Sequence, residues 1–287
     1  MKLITWNVQW CRGCDGRVDP ERIVREARAF SDFDVLCVQE VADNFPGLAG
    51  SAGEDQFARL AAALPGYQAV PGIAVDVPDG LGGRRRFGNL VLSRLPVGRV
   101  LRHQLPWPPG SERPGMPRVL IEAIVTAPFG ALRVMTTHLE YFSAAHRSAQ
   151  VDAIRAVQSQ SVGRARDEET RSAAGRSVPE GTFGGFEPPA GAVLTGDFNY
   201  EPDDPLQARM TAPLPGGGGR LVDAWTARHP EIGCPPTNGV HDRVQWPRAY
   251  TCDFIYVSED LVPRIRDVAV DGSTSASDHQ PVLIELG

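Results

Sequence analysis

The chain lacks several features, and each absence removes a class of function. No apolar run approaches the roughly 18 residues that a membrane-spanning helix needs. Positive charge is not in excess: 29 Lys and Arg stand against 35 Asp and Glu, a formal charge of −6. The strongly basic footprint of a protein built to coat nucleic acid is therefore missing, although a local basic groove can sit on an acidic protein. Lysine is almost absent, with Lys2 alone and arginine at the other 28 basic positions; a bias spread along the whole chain reads as codon usage before it reads as a phosphate-binding surface. Cysteines number five, an odd and scattered set. Cys11 and Cys14 form a lone C-x-x-C with no second pair, so neither a disulfide framework nor a zinc ribbon is expected. Cys37 and Cys252 sit in apolar runs and read as small core residues. Residues 1–10 carry no secretory leader pattern, and a chain that starts naturally at Met1 is expected to be cytoplasmic.

What is present is an ordinary globular composition over 287 residues, 42% hydrophobic and 22% charged, with 30 glycines and 25 prolines that imply many turns. Eight β-type runs stand out: Leu3–Val8, Val35–Gln39, Gly88–Ser93, Arg118–Thr126, Leu132–His138, Ala192–Thr195, Cys252–Val257 and Pro281–Leu286. Several are continuously apolar, as strands covered on both faces are. Helical patterns fall between some of them. Asp19-Pro20 is an N-cap followed by proline at the first helical position, and Ile23, Ala27 and Phe30 keep helical spacing. Phe57, Leu60, Ala61 and Leu64 mark a second helix. A third opens near Ser143, carries Val151, Ile154 and Val157, and turns very polar from Arg164 to Arg176. Strands also follow one another without helices across 118–138, so mixed sheets fit better than a repeated βαβ unit. No internal repeat is visible. The Gly- and Pro-rich segment Gly175–Gly191 reads as a surface loop within a single domain spanning 1–287. It directly precedes a chemistry-bearing strand, and its Phe183 and Phe186 could dock, so it is expected to act as a mobile flap at a cleft mouth, with a passive surface insertion as the alternative.

Six segments concentrate polar groups at apolar strand ends. They are Thr5-Trp6-Asn7, Val38-Gln39-Glu40, Thr136-Thr137-His138, Thr195-Gly196-Asp197-Phe198-Asn199, Cys252-Asp253 and Ser277-Asp278-His279. Strand ends are where side chains leave the core and converge on a ligand. Asn7, Glu40 and Asp278 are hard oxygen donors suited to Mg²⁺ or Mn²⁺. His138, His279 and Asn199 can donate hydrogen bonds to phosphoryl oxygens. Asp253 can orient His279 as a carboxylate fixes an imidazole. Alternation along an extended segment would put Asp197 and Asn199 on one side. Together the set fits metal-assisted attack of water on a phosphate ester. Any one of these residues alone is more often a turn cap than a ligand; His103, His146, His229 and His241 read as structural or solvated.

The order of these motifs resembles the endonuclease/exonuclease/phosphatase superfamily, the group of deoxyribonuclease I, exonuclease III-like apurinic endonucleases, sphingomyelinases and inositol-polyphosphate 5-phosphatases. The resemblance spans residues 3–286. Gly88-Asn89-Leu90-Val91-Leu92-Ser93 looks like the family's G-N-x-x-L-S strand, and Leu221-Val222-Asp223-Ala224-Trp225 like another family segment. It implies an α/β fold, a four-layer αββα sandwich of two packed mixed sheets flanked by helices, with the site at one end. It implies Glu40 as principal ligand of Mg²⁺ or Mn²⁺, aided by Asn7 and Asp278. Asp197 would position or deprotonate the attacking water, Asn199 and His138 would hold the phosphate, and Asp253 and His279 would pair. Two positions depart from the pattern. Ala249-Tyr250-Thr251-Cys252 precedes Asp253 where many members have an R-I-D approach, and His138 replaces the tyrosine of exonuclease III-like enzymes. The second favours a deoxyribonuclease I-like or phosphodiesterase-like branch.

Substrate identity is less legible, because fold and metal chemistry do not name the alcohol on the phosphate. Arg84-Arg85-Arg86 is the sharpest basic cluster and a candidate for substrate contact, with Asn89 either supporting the site or pinning its strand. Trp107 and Met116 lie in a proline-rich stretch and could stack on a base or lipid. The expectation is a metal-dependent phosphodiesterase hydrolysing nucleic acid or a small diester, with no obligate protein partner and a monomeric chain. A phospholipid or phosphomonoester hydrolase is the alternative, and a non-catalytic binding protein on the same fold is disfavoured by the intact polar set.

Overall fold

The computed structural model describes residues 1–110, 115–175 and 189–287. Two six-stranded mixed sheets pack face to face. The first has the order β11-β12-β1-β2-β4-β3, with β1 Lys2–Asn7, β2 Val35–Asp43, β3 Gln68–Pro78, β4 Arg84–Ser93, β11 Ile265–Val270 and β12 Val282–Leu286. The second has the order β5-β6-β7-β8-β10-β9, with β5 Val97–Gln104, β6 Val119–Ala127, β7 Gly130–His138, β8 Ala192–Asp197, β9 Leu221–Asp223 and β10 Asp253–Ser258. The four-layer αββα sandwich expected from the motifs is the observed architecture.

Alternation along each strand builds the layers. In β1, Leu3 points into the core between the sheets while Ile4 and Trp6 face outward. That outward face of the first sheet is covered by α1, Pro20–Phe30, and α2, Gln56–Ala63. The outer face of the second sheet is covered by α3, Ala144–Ala173, and α4, Pro205–Thr211. A short α5, Ala224–Arg228, follows β9. The start of α1 is as the sequence indicates: Asp19 Oδ1 accepts from the Arg22 amide at 2.8 Å, with Pro20 at the first helical position. Ser143 caps α3 through the His146 amide. Among the described residues, no helix is long and apolar enough to cross a membrane.

The topology decides where chemistry can sit. In each sheet one parallel pair lies at the centre, β1 with β2 and β7 with β8, and every other pairing is antiparallel. The C-terminal ends of the four parallel strands carry Asn7, Glu40, His138 and Asp197. The antiparallel neighbours β10 and β12 start at this same end, delivering Asp253 and, just before β12, Asp278 and His279. All six motifs therefore meet at one edge of the sandwich. Most of the expected Gly175–Gly191 flap, residues 176–188, lies outside the described residues.

Candidate active site

Glu40 reaches the site through a break in its strand. The β2–β4 register shifts between Val38 and Val41, and Glu40 has φ of 62°; such a bulge re-aims one side chain. The bulge is opposite Gly88, where any Cβ would lie 2.0 Å from the Gly72 carbonyl, so this close approach requires glycine. Gly196 is required for the same reason and for its φ of +145°, since a Cβ there would meet the Thr137 carbonyl at 1.9 Å. It lets β8 press against β7 immediately before Asp197.

Asp197 is where the two sheets' polar groups meet. Its Oδ2 accepts from Asn7 Nδ2 at 2.9 Å, and the imidazoles of His138 and His279 stand 3.4 and 3.7 Å from the same oxygen. Its Oδ1 accepts from the Asn199 amide at 2.9 Å. Asn199 does reach the site, but not by strand alternation: φ of 53° places it in a left-handed turn. The short Asp197 side chain bonds the backbone two residues on, and that favours a turn over continued strand. From there Asn199 Nδ2 donates to Leu139 O at 2.9 Å and to His138 Nε2 at 3.0 Å. With Nε2 accepting, the ring proton is on Nδ1, which is buried, lacks a hydrogen-bond partner and stands 3.8 Å from Glu40 Oε1. Burial, together with the charge of Arg118, drops His138 to about 3 and keeps it neutral.

His279 is held differently. Its Nδ1 lies 2.8 Å from Asp253 Oδ2. Burial works against its charge, but Asp253 outweighs burial and holds the ring well above the usual histidine range. Thr237 fixes the carboxylate by donating to Asp253 Oδ2 at 2.7 Å while accepting the Cys252 and Asp253 amides. The Asn238 amide stands 2.7 Å from His279 Nε2, and Trp6 Nε1 donates to the His279 carbonyl at 2.9 Å.

The candidate metal residues form the opposite wall. Glu40 Oε1 accepts from Asn7 Nδ2 at 3.0 Å. Burial and the Asp278 charge raise the Glu40 carboxyl to about 7. Asp278 Oδ2 accepts from Gln9, Gln245 and Trp246 at 2.7, 3.2 and 2.9 Å. Gln9 is placed by three consecutive left-handed residues, Gln9, Trp10 and Cys11, with φ of 43, 43 and 60°. Two carboxylates with a side-chain amide beside them are hard oxygen donors of the kind that suit a divalent cation. Asp197, Cys252 and His279 also offer three ligand atoms within 4.8 Å of one another. Burial holds the Cys252 thiol protonated, however, so this second set suits Mg²⁺ or Mn²⁺ less well.

These groups line a cavity of about 380 Å³ that contains Glu40, His138, Asp197, Asn199, Asp278 and His279. Met116 and Arg118 line it too. Arg118 is buried, only loosely engaged with Glu140 at 3.4 Å, and its Nη1 has no partner. Asn89 pins strands, its Nδ2 donating to Val119 O at 3.1 Å across the sheet interface. Arg84, Arg85 and Arg86 are not among the cavity's residues. They open β4 in the hairpin, where Arg84 bonds Asp76 and Arg86 is 3.5 Å from Asp43. Cys11 and Cys14 are unbonded to each other, the first buried. Gln9, Arg118, Thr237, Asn238, Gln245 and Trp246 were not expected from sequence. Of these only Arg118, directly before a strand that starts at the active end, carries a topological signal.

Two imidazoles, three carboxylates and a buried guanidinium thus line one cavity. Residues 4–279 match the model of the Endonuclease/Exonuclease/phosphatase family, and the chain belongs to that family, whose members are hydrolases acting on phosphate esters. Among solved structures it is similar to an endonuclease/exonuclease/phosphatase from Beutenbergia cavernae, at 26% identity and a TM-score of 0.68, covering 100% of this chain and 72% of that one. It is also similar in fold to a mannosyl-6-phosphatase of Bacteroides thetaiotaomicron, at 16% identity and a TM-score of 0.62, over 100% and 99% of the two chains. D. rerio TDP2 complexed with single strand DNA product aligns at 18% identity and a TM-score of 0.62, over 100% and 98%. No curated protein matches the chain.

Proposed function

We propose that the protein is a Mg²⁺- or Mn²⁺-dependent phosphodiesterase in which Asp197 activates water. One observation carries this reading: Asp197 Oδ2 lies within 3.7 Å of both imidazoles and is hydrogen-bonded by Asn7, the residue that also bonds Glu40. Glu40, with Asn7 and Asp278, would hold the cation. When bound, the cation supplies a Lewis acid that neutralises charge on the phosphoryl group. Asp197 is fixed at both oxygens, by Asn7 and by the Asn199 amide, so it can orient a water and take its proton without reorganising. Neutral His138 presents Nδ1–H to a phosphoryl oxygen, and Asn199 keeps it in that tautomer. His279, charged and backed by Asp253, would place its positive charge beside the anionic phosphoryl group, with Nε2 between Asn238 and Asp197. Arg118 Nη1 supplies a further donor from the cavity wall. A diester offers these donors one negative charge and a monoester up to two, and the diester keeps a second alcohol on the phosphate after the first leaves; the assay therefore compares both.

Turnover of DNA, RNA, bis-p-nitrophenyl phosphate, p-nitrophenyl phosphate and phospholipid vesicles is measured with Mg²⁺, Mn²⁺ or EDTA. Diester hydrolysis that needs the metal and falls on the order of 10²-fold or more in Asp197→Asn supports the proposal. Full activity in EDTA, or in Asp197→Asn, removes it.

A further inference from the structure

Arg118 and His279 are buried cations lining the catalytic cavity, and each has a buried carboxylate behind it. Asp253 backs His279 at 2.8 Å. Glu140, fully buried, backs Arg118: its Oε2 lies 3.4 Å from Nε and 3.5 Å from Nη2. Asp253 belongs to the proposed catalytic pair, and Glu140 lies outside it. Glu140 stands two residues past His138, beyond the end of β7, and is not among the cavity's residues. It bears on the cavity through Arg118 and through its charge.

This carboxylate is fixed from several sides. Oε1 accepts the Phe142 amide at 2.9 Å. The Glu140 amide donates to Gln150 Oε1 at 2.9 Å and its carbonyl accepts from Arg147 at 2.9 Å, both residues of α3. A Cβ on Gly115 would stand 2.9 Å from Oε2, so the carboxylate is packed against bare backbone there. The slack lies with the arginine. Both of its bonds to Glu140 are longer than ordinary N–H···O bonds, and its buried Nη1 has no partner among the described residues. A cation taken out of water needs a counter-charge. Glu140 supplies that charge without occupying Nη1.

The charge count restricts what the cavity accepts. Asp253 offsets His279, Glu140 offsets Arg118, and Glu40, Asp197 and Asp278 add negative charge of their own. The side chains around the cavity therefore carry no surplus of positive charge. A singly charged diester needs less of it than a doubly charged monoester, and in a buried site one unbalanced unit of charge weighs far more than in water. We infer that Glu140 is a specificity-determining residue: by offsetting Arg118 it sets the cavity to take a singly charged phosphodiester and to disfavour a dianionic phosphomonoester. This deepens the proposed function and rests on it for the placing of the phosphoryl group.

The test compares kcat/KM for bis-p-nitrophenyl phosphate and p-nitrophenyl phosphate, which share a leaving group, at pH 8 and constant Mg²⁺. There the monoester, with a second pKa of about 6, is doubly charged. The proteins are the wild type, Glu140→Gln, which keeps an acceptor for the Phe142 amide and removes the charge, and Glu140→Asp, which keeps the charge and shortens the side chain. The expected result is a diester-to-monoester ratio that falls on the order of tenfold in Glu140→Gln and stays within about threefold of the wild type in Glu140→Asp. An unchanged ratio in Glu140→Gln overturns the inference, and so do equal shifts in the two variants, which would assign the effect to contacts rather than charge. Calorimetric binding of inorganic phosphate and dimethyl phosphate, also with Mg²⁺, runs alongside and needs no turnover. The margin of inorganic phosphate over dimethyl phosphate should widen on the order of tenfold in Glu140→Gln; an unchanged margin overturns the inference. A widened margin with neither ester hydrolysed upholds the role of Glu140 and sinks the phosphodiesterase reading instead. A wild type that hydrolyses the monoester in preference to the diester overturns both, even where Glu140→Gln does not fold.

Discussion

Glu40 offers a measurement that separates a cation site from an ordinary buried carboxylate. Its carboxyl is raised from the ordinary 4.5 to about 7, chiefly by burial and then by the Asp278 charge. A folded-state value above the unfolded one stabilises the protein at low pH, and that stability is lost as pH rises through the folded value. The window here runs from about 4.5 to about 7, and above 7 the metal-free protein carries the full cost of an ionised Glu40. At about 1.4 kcal/mol per pKa unit the shift corresponds to about 3 kcal/mol. The side chain keeps 19% of its exposure, so solvent screening trims this to about 2 kcal/mol. With an unfolding entropy of about 2.1 cal/mol/K per residue, a chain of this length would show about 3 °C in Tm.

Glu40→Gln keeps an acceptor for Asn7 Nδ2 and removes the charge. Metal-free Tm is followed for both proteins from pH 5 to pH 8 in EDTA. Near pH 5 the two should be close. By pH 8 the variant should be the more stable by about 3 °C. The comparison is between proteins because His138, held low by burial and by Arg118, acts in the opposite sense over an overlapping range. Mg²⁺ at ten times its Kd should then return about 1.4 kcal/mol to the wild type at pH 8 and nothing to Glu40→Gln. Parallel curves across the whole pH range, or equal responses to Mg²⁺, refute the reasoning that Glu40 is an unneutralised cation ligand.

Three further outcomes are expected. His279→Ala and Asp253→Ala should each cost on the order of 10²-fold in kcat, with the double variant no worse than the more damaged single; multiplicative losses would show that the 2.8 Å contact is not a working pair. Arg118→Lys should lower kcat/KM by about tenfold through loss of its unpartnered Nη1, with far-UV circular dichroism unchanged; unaltered kinetics would leave Arg118 a purely structural group. Thr237→Val strands the buried Cys252 and Asp253 amides and should lower unfolding free energy by about 1–3 kcal/mol in urea titration; an unchanged midpoint would mean that those amides find other partners.

The eight strand-like runs visible in the sequence correspond to β1, β2, β4, β6, β7, β8, β10 and β12, which are the eight interior strands of the two sheets. Those without a run, β3, β5, β9 and β11, are the four edges. The physical reason is coverage. An interior strand is paired on both sides and buried on both faces, so Val35-Leu36-Cys37-Val38 reads as continuous apolar residues. An edge strand is protected by features that erase such a signal. β3 contains Pro71, Gly72 and Pro78, β5 carries Arg99, Arg102 and His103, and β9 has three residues.

The site divides along the same line. Asn7, His138, Asp197 and Asp253 were legible because each terminates or begins an interior strand whose apolar run points to it, and Glu40 because the run Val35–Gln39 leads directly to it, although its strand continues past a bulge to Asp43. Asn238 and Trp246 were not, because they lie in the irregular stretch between α5 and β10 and reach the site only through contacts distant in sequence. Isolated bridges from Asn238 to Tyr250 and to His279, with the side-chain bonds of Thr237, Gln245 and Trp246, hold that stretch against the cleft.

The hydrogen-bond order of the two sheets explains why one end of the sandwich can host this chemistry. Each sheet brings the C-termini of one central parallel pair to that end, and the two ends contribute different donors. The first sheet supplies Asn7, Glu40, Asp278 and His279; the second supplies His138, Asp197 and Asp253. Neither set is complete alone. The bonds that join them cross the interface: Asn7 to Asp197 at 2.9 Å and His279 to Asp253 at 2.8 Å. Both need the sheets in fixed register. In the same interface, Gln39 Nε2 of β2 donates to Thr136 Oγ1 of β7 at 2.9 Å and Asn89 Nδ2 of β4 to Val119 O of β6 at 3.1 Å, polar ties within a largely apolar core. Apolar packing is non-directional and sets how closely the sheets approach, whereas a buried hydrogen bond holds only in one alignment. Gln39 and Asn89 therefore add a directional constraint to the alignment in which Asp197 lies within 3.7 Å of both imidazoles.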